Sequence, residues 1–142
     1  MDAWLLYRIW AFGDNLAGQC GIPVEDARQV VPKRIKLSSD NYHALHVSCG
    51  TQHSGCITSK HQLYLWGNSS GHKLIFTHIQ DKILSQDELP GVSIRSGNKS
   101  RCMNAMLVYN LLHEMVSSFC LGDDCTIVIT GNGVLQENKR TR

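Results

Sequence analysis

The sequence has 142 residues, the length of one domain at roughly 100–200 residues per domain. It holds 14 Lys and Arg against 12 Asp and Glu, a net charge of +2, and 42% of its residues are hydrophobic. This composition excludes a disordered chain and lacks the basic excess of a dedicated nucleic-acid binder. No apolar run approaches the ~18 residues of a membrane span, and the N-terminal residues do not fit a secretory signal.

The first elements in chain order are a strand pattern over residues 5–12 and a Gly-rich loop over residues 13–21. Further along, Leu45, Val47 and Cys49 alternate with polar residues, which predicts a half-buried strand with these three side chains facing the core. Tight turns then lead into strands at 53–58 and 63–66. Three short strands joined by tight turns form an antiparallel meander.

A second unit follows the same order. Strands are predicted at 117–121 and 125–130 around a turn at Gly122, and the Asn-Gly pair that follows is a strong hairpin signal. Residues 101–121 are ambiguous, because Met103, Met106 and Met115 also fit helical spacing. We expect strands at both ends of that stretch and leave its middle open.

The chain is organised as a repeat. Phe12-Gly13 recurs as Trp66-Gly67, and the motif at 47–58 returns at 119–130, with an insertion predicted between residues 76 and 112. Small meanders repeated tens of residues apart are typical of propellers. The sequence therefore predicts an all-β fold: a partial β-propeller of about two blades of short antiparallel strands, not a closed ring.

Cysteine usage indicates a reduced, intracellular protein, cytoplasmic or nuclear, because six cysteines are too few for a disulfide scaffold. Most lie in apolar stretches, where a free cysteine acts as a small core hydrophobe. Cys49, His53 and Cys56 are close in sequence, but their spacing differs from that of structural zinc sites, and strand alternation scatters them over two faces. We expect no metal and no cofactor.

Four ordered blocks carry a family resemblance. They are Phe12-Gly13-Asp14-Asn15-Leu16-Ala17-Gly18-Gln19-Cys20-Gly21, Pro32-Lys33-Arg34-Ile35, Cys49-Gly50-Thr51-Gln52-His53-Ser54-Gly55-Cys56-Ile57-Thr58 and Tyr64-Leu65-Trp66-Gly67. Over residues 7–67 the chain resembles the regulator of chromosome condensation repeat family, whose members are seven-bladed β-propellers, and over 68–135 the pattern is degenerate. We divide it into a first repeat at 7–61, a second at 62–133 with the insertion, and a polar basic tail at 134–142.

The residues that match the repeat signature are expected to act as scaffold. The glycines permit unusual backbone or close approach, Phe12 and Trp66 supply buried area between sheets, and His53 and Gln19 satisfy backbone groups in turns. A role for His53 as a general base or ligand is disfavoured, since no acidic or nucleophilic partner stands at a recognisable spacing. The signature residues are Phe12, Gly13, Asn15, Gly18, Gln19, Gly21, Cys49, Gly50, His53, Thr58, Trp66, Gly67, Gly122 and Thr130.

The resemblance implies a protein–protein interaction module, as part of a guanine nucleotide exchange factor or regulator of a small GTPase. Exchange opens a nucleotide site without making bonds; no intrinsic catalytic chemistry is expected, and exchange activity of two repeats stays open. The turn Asp123-Asp124 either contacts a basic partner or, more simply, is solvated. The alternatives are a chromatin or nucleic-acid contact, disfavoured by the low net charge, and a non-functional truncated product. A nucleic-acid contact would use two basic clusters: Lys33, Arg34 and Lys36, and Lys139, Arg140 and Arg142.

Two repeats cannot close a seven-bladed ring, and repeat units bury their apolar faces only by stacking on neighbours. Three explanations follow: a slice of a longer array, self-association through unpaired blade edges, or a decayed unit that packs independently. The first is favoured. The isolated chain is expected to be marginally stable or to associate.

Overall fold

The computed structural model describes residues 8–22, 27–37, 43–68, 92–95, 99–108, 111–123, 125–132 and 135–137. These residues form ten strands and contain no helix long and apolar enough to cross a membrane. The strands are β1 (Trp10–Asp14), β2 (Arg28–Arg34), β3 (Ala44–Cys49), β4 (His53–Thr58), β5 (Leu63–Asn68), β6 (Val92–Arg95), β7 (Lys99–Leu107), β8 (Val116–Leu121), β9 (Thr126–Thr130) and β10 (Leu135–Glu137).

The strands are arranged in three antiparallel sheets. One contains β1 and β2, the central one has the order β3-β4-β5-β7-β6, and the third has the order β10-β9-β8. The meander β3 to β5 follows the predicted bounds closely, and β6 and β7 lie within the predicted insertion. The ambiguous stretch is strand up to Leu107, turns at 111–114, and becomes strand again at Val116. The prediction of an all-β, open, few-bladed fold is confirmed.

The two middle strands of the central sheet, β4 and β5, carry buried side chains on both faces, since successive side chains of a strand point to opposite sides. Cys56 and Trp66 pack with Ile35, which follows β2, so this face meets the β1–β2 sheet. Ile57 and Leu65 belong to the cluster on the other face. Every residue of β4 is therefore buried.

The second face of the central sheet meets the β8–β9 sheet. The buried cluster there joins residues of β4 and β5 to side chains of β8, β9 and the turn before β8. Full burial of a Val, Leu or Phe side chain stabilises by about 1.5–3 kcal/mol, so this interface is a main source of stability. The side chains contributed from beyond β7 are Val108, Leu111, Val116, Phe119, Leu121 and Val128.

The predicted burial of one face of β3 is wrong. Leu45 is 60% exposed, Val47 is 55% exposed and Cys49 is exposed. Val47 pairs with Cys56 and Cys49 pairs with Ser54, so these two side chains lie on the side of the sheet that meets β1 and β2, but no described strand pairs beside β3 to cover them there. Leu45 lies at a bulge in the pairing with β4. A strand pattern reports which residues share a face, whereas burial also requires a neighbour.

Candidate protein-interaction site

The Gly-rich loop at residues 15–22 is fixed on the central sheet by one carbonyl group. The Gln19 carbonyl oxygen accepts a hydrogen bond from Trp66 Nε1 at 2.9 Å and another from Ser54 Oγ at 2.9 Å. A Cβ atom on Gly21 would lie 2.8 Å from Trp66 Nε1, so only glycine fits beneath the indole ring. The loop of the first repeat is thus held by β4 and β5.

Polar side chains close this loop on itself. Asn15 Oδ1 accepts a hydrogen bond from the Cys20 backbone N–H at 3.0 Å, and Gln19 Oε1 accepts one from the Ala17 N–H at 2.9 Å. Asp14 Oδ1 accepts one from the Leu16 N–H at 3.1 Å, while the Leu16 side chain remains 65% exposed. These bonds satisfy backbone donors that no regular ladder reaches.

Two further turns lie at the same end of the sheets. A Cβ atom on Gly50 would lie 2.6 Å from the Gly122 carbonyl oxygen, so the β3–β4 and β8–β9 turns are in contact. Ser48 Oγ accepts a hydrogen bond from the Leu121 N–H at 3.1 Å. We call residues 14–22, 50–52, 122–123 and 125 the loop face.

The loop face presents acidic, polar and apolar side chains together. Asp14, Leu16 and Asp123 are exposed, as are Thr51 and Gln52. Asp14 and Leu16 were not singled out from the sequence as contact residues, although both stand at non-glycine positions of the Gly-rich motif. Asp124 and the tail residues Lys139, Arg140 and Arg142 lie outside the described residues.

The remaining signature residues lie behind the loop face or further along the strands. His53 is fully buried, with its ring 2.7 Å from the point where a Cβ on Gly50 would be. Thr58 and Thr130 are buried at the far ends of β4 and β9. The predicted burial of Phe12 is wrong: it is 67% exposed, because no described sheet covers that side of β1.

The cysteines with described side chains are free thiols: Cys20 and Cys56 are buried, Cys49 and Cys120 are exposed, and Cys125 is half-buried. Burial raises the pKa of Cys56 to about 12, and burial with the nearby Asp14 and Cys49 charges raises the pKa of Cys20. Cys49 and Cys120 are exposed, against the expectation that most cysteines lie in the core. His53 and Cys56 are three positions apart in β4, so their side chains point to opposite faces of the sheet. The described residues hold no cluster of three metal-ligating side chains.

Sheets stacked face to face, with equivalent turns in contact at one end, define part of a β-propeller. Residues 8–57 match the family model of the regulator of chromosome condensation (RCC1) repeat. This match confirms, over residues 8–57, the family resemblance seen in the sequence blocks. A search of the curated proteins gave no significant sequence match.

Solved structures show the same fold. Prp20p from Saccharomyces cerevisiae, studied for its binding to Gsp1p and histones, has a TM-score of 0.71 at 20% identity, over 92% of this chain and 28% of its own. Yeast RCC1 (Prp20) bound to Kap60 gives 0.69 at 19% identity, over 92% of this chain and 27% of its own. Human WBSCR16 has a TM-score of 0.62 at 19% identity, over 90% of this chain and 28% of its own. The chain spans just over a quarter of each.

Proposed function

We propose that this chain is a protein-interaction module whose loop face binds a small GTPase. The observation that supports it most directly is the contact between the Gly50 and Gly122 turns, which joins two successive repeats into one continuous surface. Turns held on packed sheets present side chains in fixed positions, as a binding surface requires.

The chemistry of the loop face suits a basic protein surface. Asp14 and Asp123 are exposed carboxylates of the loop face, and Leu16 offers an apolar contact two residues from Asp14. A combination of apolar anchor and complementary charge is common in specific interfaces. Gsp1p binding by Prp20p supports the GTPase class of partner. Nucleotide exchange belongs to the same proposal, through preference for the nucleotide-free partner.

The test is a binding titration of the 142-residue chain against nucleotide-free and GTP-loaded Gsp1p. We expect tighter binding to the nucleotide-free form, and a roughly tenfold or larger loss for Asp123→Lys, since a like charge at an interface is repulsive. Glu114→Lys is the matched control, because Glu114 lies before β8, at the opposite end of that strand from Gly122. Equal binding to both nucleotide states, or equal effects of the two variants, contradicts the proposal.

A second candidate function rests on β2, a strand that carries three basic residues. Arg28, Lys33 and Arg34 are exposed along it, and Lys36 follows. A chromatin or nucleic-acid contact through this strand would weaken steeply with added salt, because phosphate contacts release counterions. A salt titration of DNA binding separates it from GTPase binding. Either partner implies an intracellular location, nuclear or cytoplasmic, which we also propose.

A further inference from the structure

Equivalent positions of the two repeats differ sharply in exposure. Val47 and Phe119 stand the same distance before the turn glycines Gly50 and Gly122. Phe119 is 3% exposed, because it packs on the central sheet, whereas Val47 is 55% exposed. The positions immediately before the two turn glycines repeat the contrast, since Leu121 is buried and Cys49 is exposed. The surface around Val47 therefore has the shape of a blade interface without its covering hairpin.

Two equivalent glycines, Gly67 and Gly13, differ in the same way as Phe119 and Val47: a hairpin turn packs on the first and no described residue packs on the second. Gly67 in β5 and Gly13 in β1 each follow an aromatic residue and have matching φ angles of 106° and 117°. A Cβ on Gly67 would lie 2.5 Å from the Gln52 carbonyl oxygen, in the β3–β4 turn that packs against it. A Cβ on Gly13 would meet nothing within 4 Å. β1 thus has the backbone that receives a hairpin turn, and no described hairpin lies there.

Within the described part of the chain, one edge of β1 has no partner strand. β1 pairs with β2 on one side, and among the described strands none pairs with its other side. In the central sheet, β5 uses the corresponding edge to pair with β4, with Gly67 opposite His53. An unpaired strand edge is a template for a strand of another chain.

We propose that a second copy of this chain docks its β8–β9 hairpin on the edge of β1 and covers Val47. β9 corresponds to β4 in the repeat, so it carries the turn and the register that the edge of β1 requires. The outer face of the hairpin is also suited to the contact. Ile129 is 42% exposed, on the opposite side of β9 from buried Val128, and corresponds to Ile57, which packs between blades within the chain.

The strand β10 occupies the edge of β9 that β1 of another copy would use. β10 pairs with β9 through only three residues, Leu135–Glu137, and lacks an aromatic-Gly pair. β1 offers five residues, Trp10–Asp14, with Phe12-Gly13 in the place of Trp66-Gly67. Docking therefore exchanges β10 for β1, and the longer strand restores the pairing seen between β4 and β5.

The association is head-to-tail, since each copy supplies one hairpin and one acceptor edge. Such heterologous contacts form a closed ring when the rotation between copies closes, and an open chain when it does not. The surfaces involved are the edge of β1, the outer side of β3 and the outer side of β9, all distinct from the loop face. Loss of GTPase binding and loss of self-association are therefore separable by mutation.

Sedimentation velocity of the 142-residue chain over a micromolar to millimolar range tests the proposal. We expect the mean mass to rise with concentration. Val47→Asp and Ile129→Asp are each expected to raise the dissociation constant about 100-fold, because each would bury an unpaired carboxylate. Val30→Asp is the matched control, at a position 77% exposed on β2, the strand on the other side of β1.

Mixing the two variants gives the decisive readout. Val47→Asp retains an intact hairpin and Ile129→Asp retains an intact acceptor, so the mixture is expected to form a one-to-one complex that does not grow further. Unfolded variants cannot complement each other, so complex formation also shows that both fold. A wild-type chain that stays monomeric throughout, variants that associate as Val30→Asp does, or a mixture that forms no complex would each overturn the proposal.

Discussion

Gly50 of the β3–β4 turn and Gly122 of the β8–β9 turn lie against each other. The Gly122 carbonyl oxygen is 2.6 Å from the position that a Cβ on Gly50 would take, and the His53 ring closes the other side. The two turns belong to different sheets, so the contact links the central and third sheets through their backbones.

Gly50→Ala is expected to destabilise the chain by about 1–3 kcal/mol, the range for overpacking a site that cannot relax. The obstacle is backbone, which cannot rotate away as a side-chain end would. Urea unfolding followed by circular dichroism measures the effect. Gly131→Ala is the control, because its Cβ would have ordinary contacts, the nearest 3.4 Å away on Met115. Equal stability of the two variants would show that the blades separate freely at this turn.

Trp66→Phe removes the indole N–H that donates a hydrogen bond to the Gln19 carbonyl oxygen. It also reduces the buried area of the ring. The Gln19 carbonyl keeps its bond from Ser54, so no buried acceptor is left unpaired and the loss is expected to be moderate, about 1–2 kcal/mol. The same substitution at Trp10, which is 60% exposed, should change stability by less than about 0.5 kcal/mol. Equilibrium unfolding of both variants at low protein concentration makes the comparison. Similar losses for the two would refute the anchoring role of Trp66.

Cys56 should make stability fall at alkaline pH. Its pKa is raised from the ordinary 9.0 to about 12, so the folded chain keeps a proton that the unfolded chain releases. This contribution is fully present below about pH 9 and decreases as pH rises toward 12. In Cys56→Ala it is absent, so the stability difference between wild type and variant should shrink by about 1.4 kcal/mol between about pH 8 and about pH 10. Urea unfolding at both pH values checks this; a constant difference contradicts it.

Leu65→Ala should test the interface between the central and third sheets. Leu65 is fully buried, and truncation of a buried leucine costs about 2–5 kcal/mol. Leu45→Ala, at a position 60% exposed on β3, is expected to change stability by less than about 0.5 kcal/mol in the monomer. Thermal unfolding ranks the two. A small loss at Leu65 would mean that the two sheets separate without unfolding.

Local sequence signals predicted most of the strands, because alternation and turn residues act over a few positions. β4 and β5 lie close to where their patterns placed them, and the Gly-rich loop packs under Trp66 as its glycines require. Helical spacing in residues 101–121 was misleading, because β7 and β8 are separated there by a turn at 111–114. Periodicity alone does not distinguish a short apolar strand from a helix segment.

Burial was predicted less well than strand position, because it depends on distant neighbours. Val47 and Phe12 have apolar side chains in strand patterns, yet both are more than half exposed. Their equivalents Phe119 and Trp66 are buried, since a neighbouring sheet or loop reaches them. The loop face likewise depends on the meeting of two turns far apart in sequence, a contact that no local pattern reports.

β4 is enclosed on both edges and both faces, so it should be among the last parts of the chain to unfold locally. Strands flank it on both edges, and side chains from other sheets lie over both of its faces. The outer sheets can detach one at a time while β4 keeps its partners. Amide hydrogens of β4 and β5 should thus be the slowest in the chain to exchange with deuterated solvent, and those of β1 and β2 should exchange through local fluctuations.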